Sequence, residues 1–295
     1  MDLLALASTR VVVTDGAMGT ELQRAGLPVG ECGERWNLDY PERVEAIHAA
    51  YLQAGSDAII TNSFGANRWV LGRYGLADRV VEVNRAAAAA ARRAVDRGGR
   101  PCAVLGDVGP CGRLLRPLGD VTPDDLLAEF ARQAGALVDG GVDGLIIETM
   151  TALEELELAI RASREAGATL VIASMAFDRL PNGNVRTMMG VAPDRAARGA
   201  VAAGAGIIGA NCGTRMAMED FVRVVADFKL ATDRPVIIQA NAGNPELEAG
   251  RAVYRLGPGA FAEGMRGVVA AGAAMVGGCC GTTPDHIAAL VRQRE

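Results

Sequence analysis

Eight short apolar runs alternate with helical patterns from one end of the 295-residue chain to the other. Each run is mostly apolar and rich in β-branched residues, which is typical of strands buried on both faces of a parallel sheet. Eight strand–helix repeats without a linker or a composition shift predict an α/β fold, a single-domain (β/α)8 TIM barrel over residues 1–295. A doubly wound open sheet is the alternative. The runs span residues 10–16, 56–62, 101–107, 142–149, 169–175, 205–212, 235–241 and 273–280.

The segments between the runs carry signals for the start and the end of helices. Pro41, Pro123, Pro193 and Pro284 stand where a first helical turn is expected, a position that proline favours. The alanine run at 86–91 lies inside a longer helical pattern. These signals support the regular alternation of strand and helix.

Charge and hydropathy exclude several classes of protein. The net charge of −5 leaves no basic footprint for nucleic acid. No stretch approaches the roughly 20 apolar residues of a membrane span, and the first ten residues do not form a signal peptide. We therefore expect a cytoplasmic protein without nucleic-acid or membrane partners. Three of its six cysteines suggest no chemistry in sequence and are expected to be free thiols: Cys32, Cys102 and Cys111.

The two histidines and the single lysine lie in helical patterns. His48 and His286 belong to neither a His-x-His nor a His-Glu-x-x-His arrangement, so a histidine-ligated metallohydrolase is disfavoured. We expect both to be surface or half-buried helix residues. Lys229 follows apolar residues at helical spacing and is expected to be solvated.

Polar residues end nearly every predicted strand, and a barrel brings those ends to one mouth. Asp107 and Ser174 are expected to cap helices or fix turns. Glu148 follows an apolar run, and burying an unpaired carboxylate is costly, so a ligand amine is a reasonable partner for it. The strand-end residues are Asp15, Thr61, Asn62, Ser63, Asp107, Glu148, Ser174, Asn211, Cys212, Gln239, Asn241, Cys279 and Cys280.

Three cysteines form a stronger pattern than any one of them alone. Cys212 ends the sixth run, and Cys279 and Cys280 end the eighth, only one strand away in a barrel. Three thiolates can hold Zn²⁺ at about 2.3 Å and leave its fourth tetrahedral position open. The flanking glycines Gly277, Gly278 and Gly281 are expected to let the backbone turn so that both thiols face one point.

Six segments together resemble the homocysteine S-methyltransferase family over essentially the whole chain. The similarity is greatest to the homocysteine-binding domain of cobalamin-dependent methionine synthase, and the "NCG" and "GGCCG" motifs are its most diagnostic part. The segments are "VVVTDGAMGTELQRAG", "ITNSFGAN", "GLIIETM", "GANCGT", "ANAGNP" and "VGGCCGTTPDHI".

This resemblance implies a (β/α)8 barrel with a catalytic zinc ion. The positions that match the zinc ligands are Cys212, Cys279 and Cys280. Asp15 and Glu148 match carboxylates that bind the amino group of homocysteine.

The resemblance also assigns the other end of the substrate. Gly16 and the turn of Thr61, with Asn62 and Ser63, match the place where the substrate carboxylate meets backbone and hydroxyl donors. Asn241 matches a position that occupies the open zinc site when substrate is absent.

The resemblance leaves the methyl donor open. The sequence has no folate barrel and no Asp-x-His-x-x-Gly motif to ligate cobalamin. We expect methylcobalamin carried by a separate corrinoid protein as donor. A small donor, namely S-methylmethionine, S-adenosylmethionine or a betaine, is the alternative, and a non-catalytic subunit that binds zinc and a thiol is a further one. Another small thiol could replace homocysteine as acceptor.

Overall fold

Eight parallel strands pair side by side in chain order around a ring. The computed structural model describes residues 1–248 and 251–294. A bridge between Thr14 and Ala58 joins the first strand to the second and closes the ring. Each predicted run overlaps one strand, and two strands extend one residue beyond their runs, so the predicted barrel is confirmed. The strands are β1 Val12–Val13, β2 Ala58–Ile60, β3 Ala103–Val108, β4 Gly144–Met150, β5 Val171–Met175, β6 Ile207–Asn211, β7 Val236–Ala240 and β8 Met275–Gly278.

Helices surround the strands. Four of them begin at the predicted prolines, and Thr122 caps the helix at Pro123 through a reciprocal capping box with Asp125. The helices are α1 Leu3–Ala7, α2 Met18–Arg24, α3 Trp36–Asp39, α4 Pro41–Gln53, α5 Arg68–Gly72, α6 Val80–Gly98, α7 Pro123–Asp139, α8 Leu153–Glu165, α9 Pro193–Ala203, α10 Met218–Ala231, α11 Pro258–Ala270 and α12 Pro284–Arg294. Short 3₁₀ helices span Gly33–Arg35 and Ala77–Arg79, and small antiparallel hairpins pair Asp178–Arg179 with Val185–Arg186 and Glu246–Glu248 with Arg251–Val253.

Two apolar layers hold the barrel together. Side chains that alternate along the strands fill its interior, among them Val12, Ile146, Ile172 and Ile237. Leu3 from α1 belongs to the same inner cluster. The intervening residues face outward and pack against the helices. This packing leaves the carboxyl ends of the strands as the place for chemistry.

Both histidines differ from expectation, because both are buried. His48 lies on the same face of α4 as Val44, Tyr51 and Leu52, where the helix meets the rest of the protein. Neither of its ring nitrogens has a hydrogen-bond partner. His286 pairs its Nε2 with the carbonyl oxygen of Leu256 at 2.8 Å. The expectation of surface or half-buried histidines is therefore wrong.

Two further expectations concern the outer helices. Lys229 is exposed on α10, as predicted. Among the residues that the structure describes, no helix has both the length and the apolar character needed to cross a membrane.

Candidate active site

Three thiols converge at the mouth of the barrel. The Sγ atom of Cys280 lies 3.9 Å from the Sγ atoms of both Cys212 and Cys279. All three sulfur atoms lie within 4.8 Å of one another. Thiolates that bind one tetrahedral zinc ion at about 2.3 Å stand about 3.8 Å apart. The cluster therefore has the spacing of a three-thiolate zinc site.

Strand β7 lies between β6 and β8 and binds the backbone of the cysteines that follow both strands. The N–H of Cys212 donates to the carbonyl of Gln239 at 3.2 Å, and the N–H of Cys279 donates to that of Ala240 at 2.8 Å. Cys212 itself has a φ of 56°, a left-handed conformation that few side chains adopt. One strand thus positions thiols from both of its neighbours.

The glycines before the pair provide room rather than a turn. A Cβ atom on Gly277 would lie 1.9 Å from Thr14 Oγ1, and one on Gly278 would lie 2.2 Å from Thr282 Oγ1. The left-handed turn comes after the pair, at Gly281, where φ is 79°. The expected role of Gly277 and Gly278 in turning the backbone is therefore corrected to close packing of β8 against its neighbours.

The three thiols have different pKa values because they are hydrogen-bonded to one another. Hydrogen bonds from the Cys279 and Cys280 thiols lower the pKa of Cys212 to about 3. The same contact with Cys212 raises the pKa of Cys280 to about 11 and also raises that of Cys279. One thiolate forms easily, and its charge opposes the next ionisation. A cation at the centre of the cluster would remove that opposition.

Three carboxylates from β1, β3 and β4 stand at the same mouth. Asp15 accepts the N–H of Ile60 with Oδ2 at 2.8 Å, while its buried Oδ1 has no partner. Burial raises the pKa of Asp15 well above its usual value. Burial and the neighbouring charge of Cys212 raise the pKa of Glu148 to about 7. Neither carboxylate has an ion-pair partner among the residues that the structure describes, and a cation beside them would stabilise their ionised forms.

Asp107 is the third carboxylate, and its expected role was wrong. Its buried Oδ1 has no hydrogen-bond partner, so the side chain does not cap a helix. Burial, followed by the charge of Glu148, raises the pKa of Asp107 well above its usual value. Its place near the end of an apolar run, like that of Asp15, was evident in the sequence, but the burial of every residue of β3 was not.

The side chains of the β2 turn are occupied within the protein. Ser63 Oγ donates to the carbonyl of Asp107 at 2.8 Å, and Thr61 Oγ1 lies 2.7 Å from Ser63 Oγ. With the proton of Ser63 used in this way, the proton of Thr61 goes to Ser63. Asn62 donates to the carbonyl of Gly33 and to Asn37 Oδ1. These side chains brace the turn and offer no free proton.

Main-chain donors remain near the same turn. Among the described residues, the N–H groups of Gly16, Asn62 and Phe64 have no protein acceptor. Gly16 directly follows Asp15, and Asn62 and Phe64 follow Ile60, whose N–H donates to Asp15 Oδ2. A carboxylate ligand would find its donors in these N–H groups rather than in the hydroxyl of Thr61.

Asn241 lies directly against the thiols. Its Nδ2 is 3.8 Å from Cys212 Sγ and 3.3 Å from the carbonyl oxygen of Gly213. Its buried Oδ1 has no hydrogen-bond partner. Rotation of the amide exchanges the two atoms, so an oxygen ligand is available at the edge of the cluster.

Ser174 also departs from its expected role in a turn or cap. It is buried on β5 and donates to Oδ1 of Asn211 at 2.8 Å. Both residues end predicted strands at the mouth, and no role was predicted for Asn211. Their pairing depends on the neighbouring positions of β5 and β6, which no local sequence signal specifies.

Comparison with known proteins gives a consistent result. The family model described as "Homocysteine S-methyltransferase" matches residues 12–294. A methionine synthase of Mycobacterium tuberculosis is 38% identical over 97% of this chain, and one of Mycobacterium leprae is 37% identical over the same share. The chain spans about a quarter of the length of these relatives, 25% and 24% respectively.

A solved structure shares the fold. The metallated form of the homocysteine methyltransferase MmuM from Escherichia coli superposes with a TM-score of 0.81 at 24% identity. The match covers 99% of both chains.

Proposed function

The chain belongs to the homocysteine S-methyltransferase family and is thus a methyltransferase, and we propose that it uses zinc to transfer a methyl group to the thiol of homocysteine, giving methionine. One observation carries the proposal: Cys280 Sγ lies 3.9 Å from the Sγ atoms of Cys212 and Cys279, at a mouth where Asp15 and Glu148 have no ion-pair partner among the described residues. A zwitterionic amino thiol has complementary groups, a thiol for the metal and an ammonium for the carboxylates.

Zinc fits the donor set. Cys212, Cys279 and Cys280 are the residues proposed to hold it, with one tetrahedral position left for a substrate. Bound zinc lowers the pKa of a coordinated thiol, which is near 8.5 for a free thiol, so that the nucleophilic thiolate predominates at neutral pH.

The protein's own residues orient the substrate. Asp15 and Glu148 are proposed to bind its ammonium group, and the unpartnered N–H groups of Gly16 and Asn62 its carboxylate. Thr61 and Ser63 brace this turn through Asp107. Holding both ends of the amino acid aims its sulfur at the incoming methyl group and lowers the entropic cost of reaction.

Asn241 is proposed to ligate zinc when substrate is absent. Its contact with Cys212 Sγ and its unpartnered Oδ1 support this role. The amide would then leave when the substrate thiol arrives.

We favour methylcobalamin on a separate corrinoid protein as the donor. Exposed apolar side chains on the loops after β2, β3, β5 and β7 surround the mouth, and apolar patches of this kind are typical of protein contacts. The matched relatives are methionine synthases about four times as long as this chain. The exposed side chains are Phe64, Leu114, Leu118, Leu180, Met188, Met189 and Leu247.

A small methyl donor is the second candidate. The near-complete structural match to a homocysteine methyltransferase of similar length favours it. S-methylmethionine, S-adenosylmethionine and a betaine are the compounds to test. The six cysteines are free in the structure, which supports a reducing compartment and hence our proposal of a cytoplasmic location.

A donor panel tests the proposal. Zinc-loaded protein is incubated with homocysteine and isotope-labelled methylcobalamin, S-methylmethionine, S-adenosylmethionine or betaine, and labelled methionine is measured. We expect Cys280→Ser to lose both zinc and methyl transfer, while Cys102→Ser, a buried cysteine far along the chain from the cluster, keeps both. Full zinc content and full transfer in the Cys280→Ser protein would overturn the proposal, as would the absence of transfer from every donor.

A further inference from the structure

Two non-glycine residues near the carboxyl ends of β4 and β6, the strands on either side of β5, have left-handed backbones. Thr149, directly after Glu148, has a φ of 60°, and Cys212, directly after Asn211, has a φ of 56°. For a β-branched residue such as threonine this conformation is strained and persists only where its surroundings hold it. The structure must therefore contain a restraint on Thr149.

The side-chain amide of Asn211 supplies that restraint. Its Oδ1 accepts the N–H of Thr149 at 2.9 Å, and its Nδ2 donates to Thr149 Oγ1 at 2.7 Å. Ser174 Oγ donates to the same Oδ1 at 2.8 Å. Asn211 is completely buried, so these bonds are shielded from water.

The same amide also touches the thiol cluster. Its Nδ2 lies 3.9 Å from Cys279 Sγ, and the next residue in the chain is Cys212. All hydrogen-bonding positions of the amide are thus in use. Asn211 connects the backbone that follows the carboxylate of Glu148 to two of the three thiols.

We infer that Asn211 is a positioning residue that sets the distance between the ammonium-binding carboxylate and the thiol cluster. This inference rests on the proposed function. The distance decides which amino thiol spans the site, because cysteine has one methylene group fewer than homocysteine. Asn211 thereby determines specificity for the longer amino thiol without contacting it.

The test measures binding rather than turnover. Calorimetry gives the Kd of homocysteine and of cysteine for zinc-loaded protein, and metal analysis gives the zinc content. We expect Asn211→Ala to retain zinc, to weaken homocysteine binding by about 10- to 100-fold, and to reduce the preference for homocysteine over cysteine. Unchanged preference in a folded, zinc-containing Asn211→Ala protein would overturn the inference.

A second substitution separates positioning from a general loss of structure. Glycine adopts a left-handed backbone without strain, so Thr149→Gly removes the need for the restraint. Asn211→Ala should then weaken homocysteine binding less in the Thr149→Gly background than in the wild-type background. Equal losses in both backgrounds would contradict the inference.

A milder variant covers the case in which Asn211→Ala does not fold. Ser174→Ala removes only the hydroxyl that holds Asn211 Oδ1, and we expect the same change in preference at a smaller size. A folded Ser174→Ala protein with unchanged preference then counts against the inference. Failure of the wild-type protein to bind homocysteine would instead refute the proposed function.

Discussion

At the scale of single residues, the mouth of the barrel combines paired polar side chains with carboxylates that have no partner among the described residues. Proteins rarely bury polar atoms unpaired, because each costs free energy on leaving water. Here Asp15 and Asp107 each keep one buried carboxylate oxygen without a hydrogen bond. Such groups oppose folding in the absence of a ligand and favour binding of a cation.

Asp107→Asn should therefore separate stability from binding. Removing the unpaired charge should raise the free energy of unfolding of the ligand-free protein by about 1 kcal/mol, because a neutral amide loses less on burial. Homocysteine binding should weaken, because Asp107 is one of three carboxylates at the mouth and its charge attracts the ammonium group that Asp15 and Glu148 are proposed to bind. Chemical denaturation and calorimetry measure the two effects.

The matched control is Asp139→Asn on the exposed end of α7, where the carboxylate pairs with Arg85. We expect it to change stability by less than about 0.5 kcal/mol and to leave binding unchanged. A destabilised Asp107→Asn protein with normal homocysteine affinity would show that Asp107 is structural.

At the scale of elements, α4 buries an unpaired histidine. Burial lowers the pKa of His48 from 6.5 to about 4. The folded protein therefore holds the neutral ring, and its contribution to stability is present above the unfolded-state pKa and is lost as the pH falls from 6.5 toward 4. Neither ring nitrogen gains a hydrogen bond in exchange.

His48→Met should flatten this acid dependence. The shift corresponds to about 3 kcal/mol of unfolding free energy lost by the wild-type protein between neutral pH and the folded-state pKa. The variant has an apolar side chain of similar size. Over the same pH range, its unfolding free energy, measured by urea denaturation, should fall by that much less than the wild-type value. His286→Met is the control, and it should be destabilised at neutral pH because His286 has hydrogen-bond partners. Equal acid sensitivity of wild type and His48→Met would contradict the prediction.

At the scale of the whole molecule, one carboxylate joins the first and the last elements of the barrel. Asp57, at the start of β2, binds Arg10 before β1 and Arg294 at the end of α12. It also accepts the N–H of Val13 at 2.9 Å. Burial alone would raise the pKa of Asp57, but the hydrogen bonds from Arg10 and Val13 and the charges of both arginines bring it below its usual value.

Asp57→Ala should destabilise the closed barrel by about 3 kcal/mol at neutral pH, since it leaves buried donors without a partner. Because the folded-state pKa is lowered, the contribution is present above the unfolded value near 3.8 and is lost as the pH falls through the folded pKa. The difference in melting temperature between the wild-type protein and Asp57→Ala should therefore become smaller below that pH. A gap that stayed constant down to strong acid would show that Asp57 acts without its charge.

The sequence by itself determined the order of strands and helices, the barrel and the set of thiols. Apolar periodicity and proline positions are local signals, and the cysteines end two runs that a closed barrel brings near each other. The helical patterns placed both histidines on helices correctly but did not predict their burial, because burial depends on which face of a helix meets its neighbours.

Only the tertiary structure decided which strand-end residues pair with other residues of the protein and which remain unpaired. Thr61 donates to Ser63, and Ser63 donates to the main-chain carbonyl of Asp107 in β3, while one side-chain oxygen of Asp107 remains unpaired. Asn211 at the end of β6 accepts the N–H of Thr149 in β4. Position 277 must be glycine, because a side chain there would collide with Thr14, which follows β1 and packs against β8. These roles depend on contacts between residues far apart in the chain, and a linear sequence specifies such contacts only through the folded barrel.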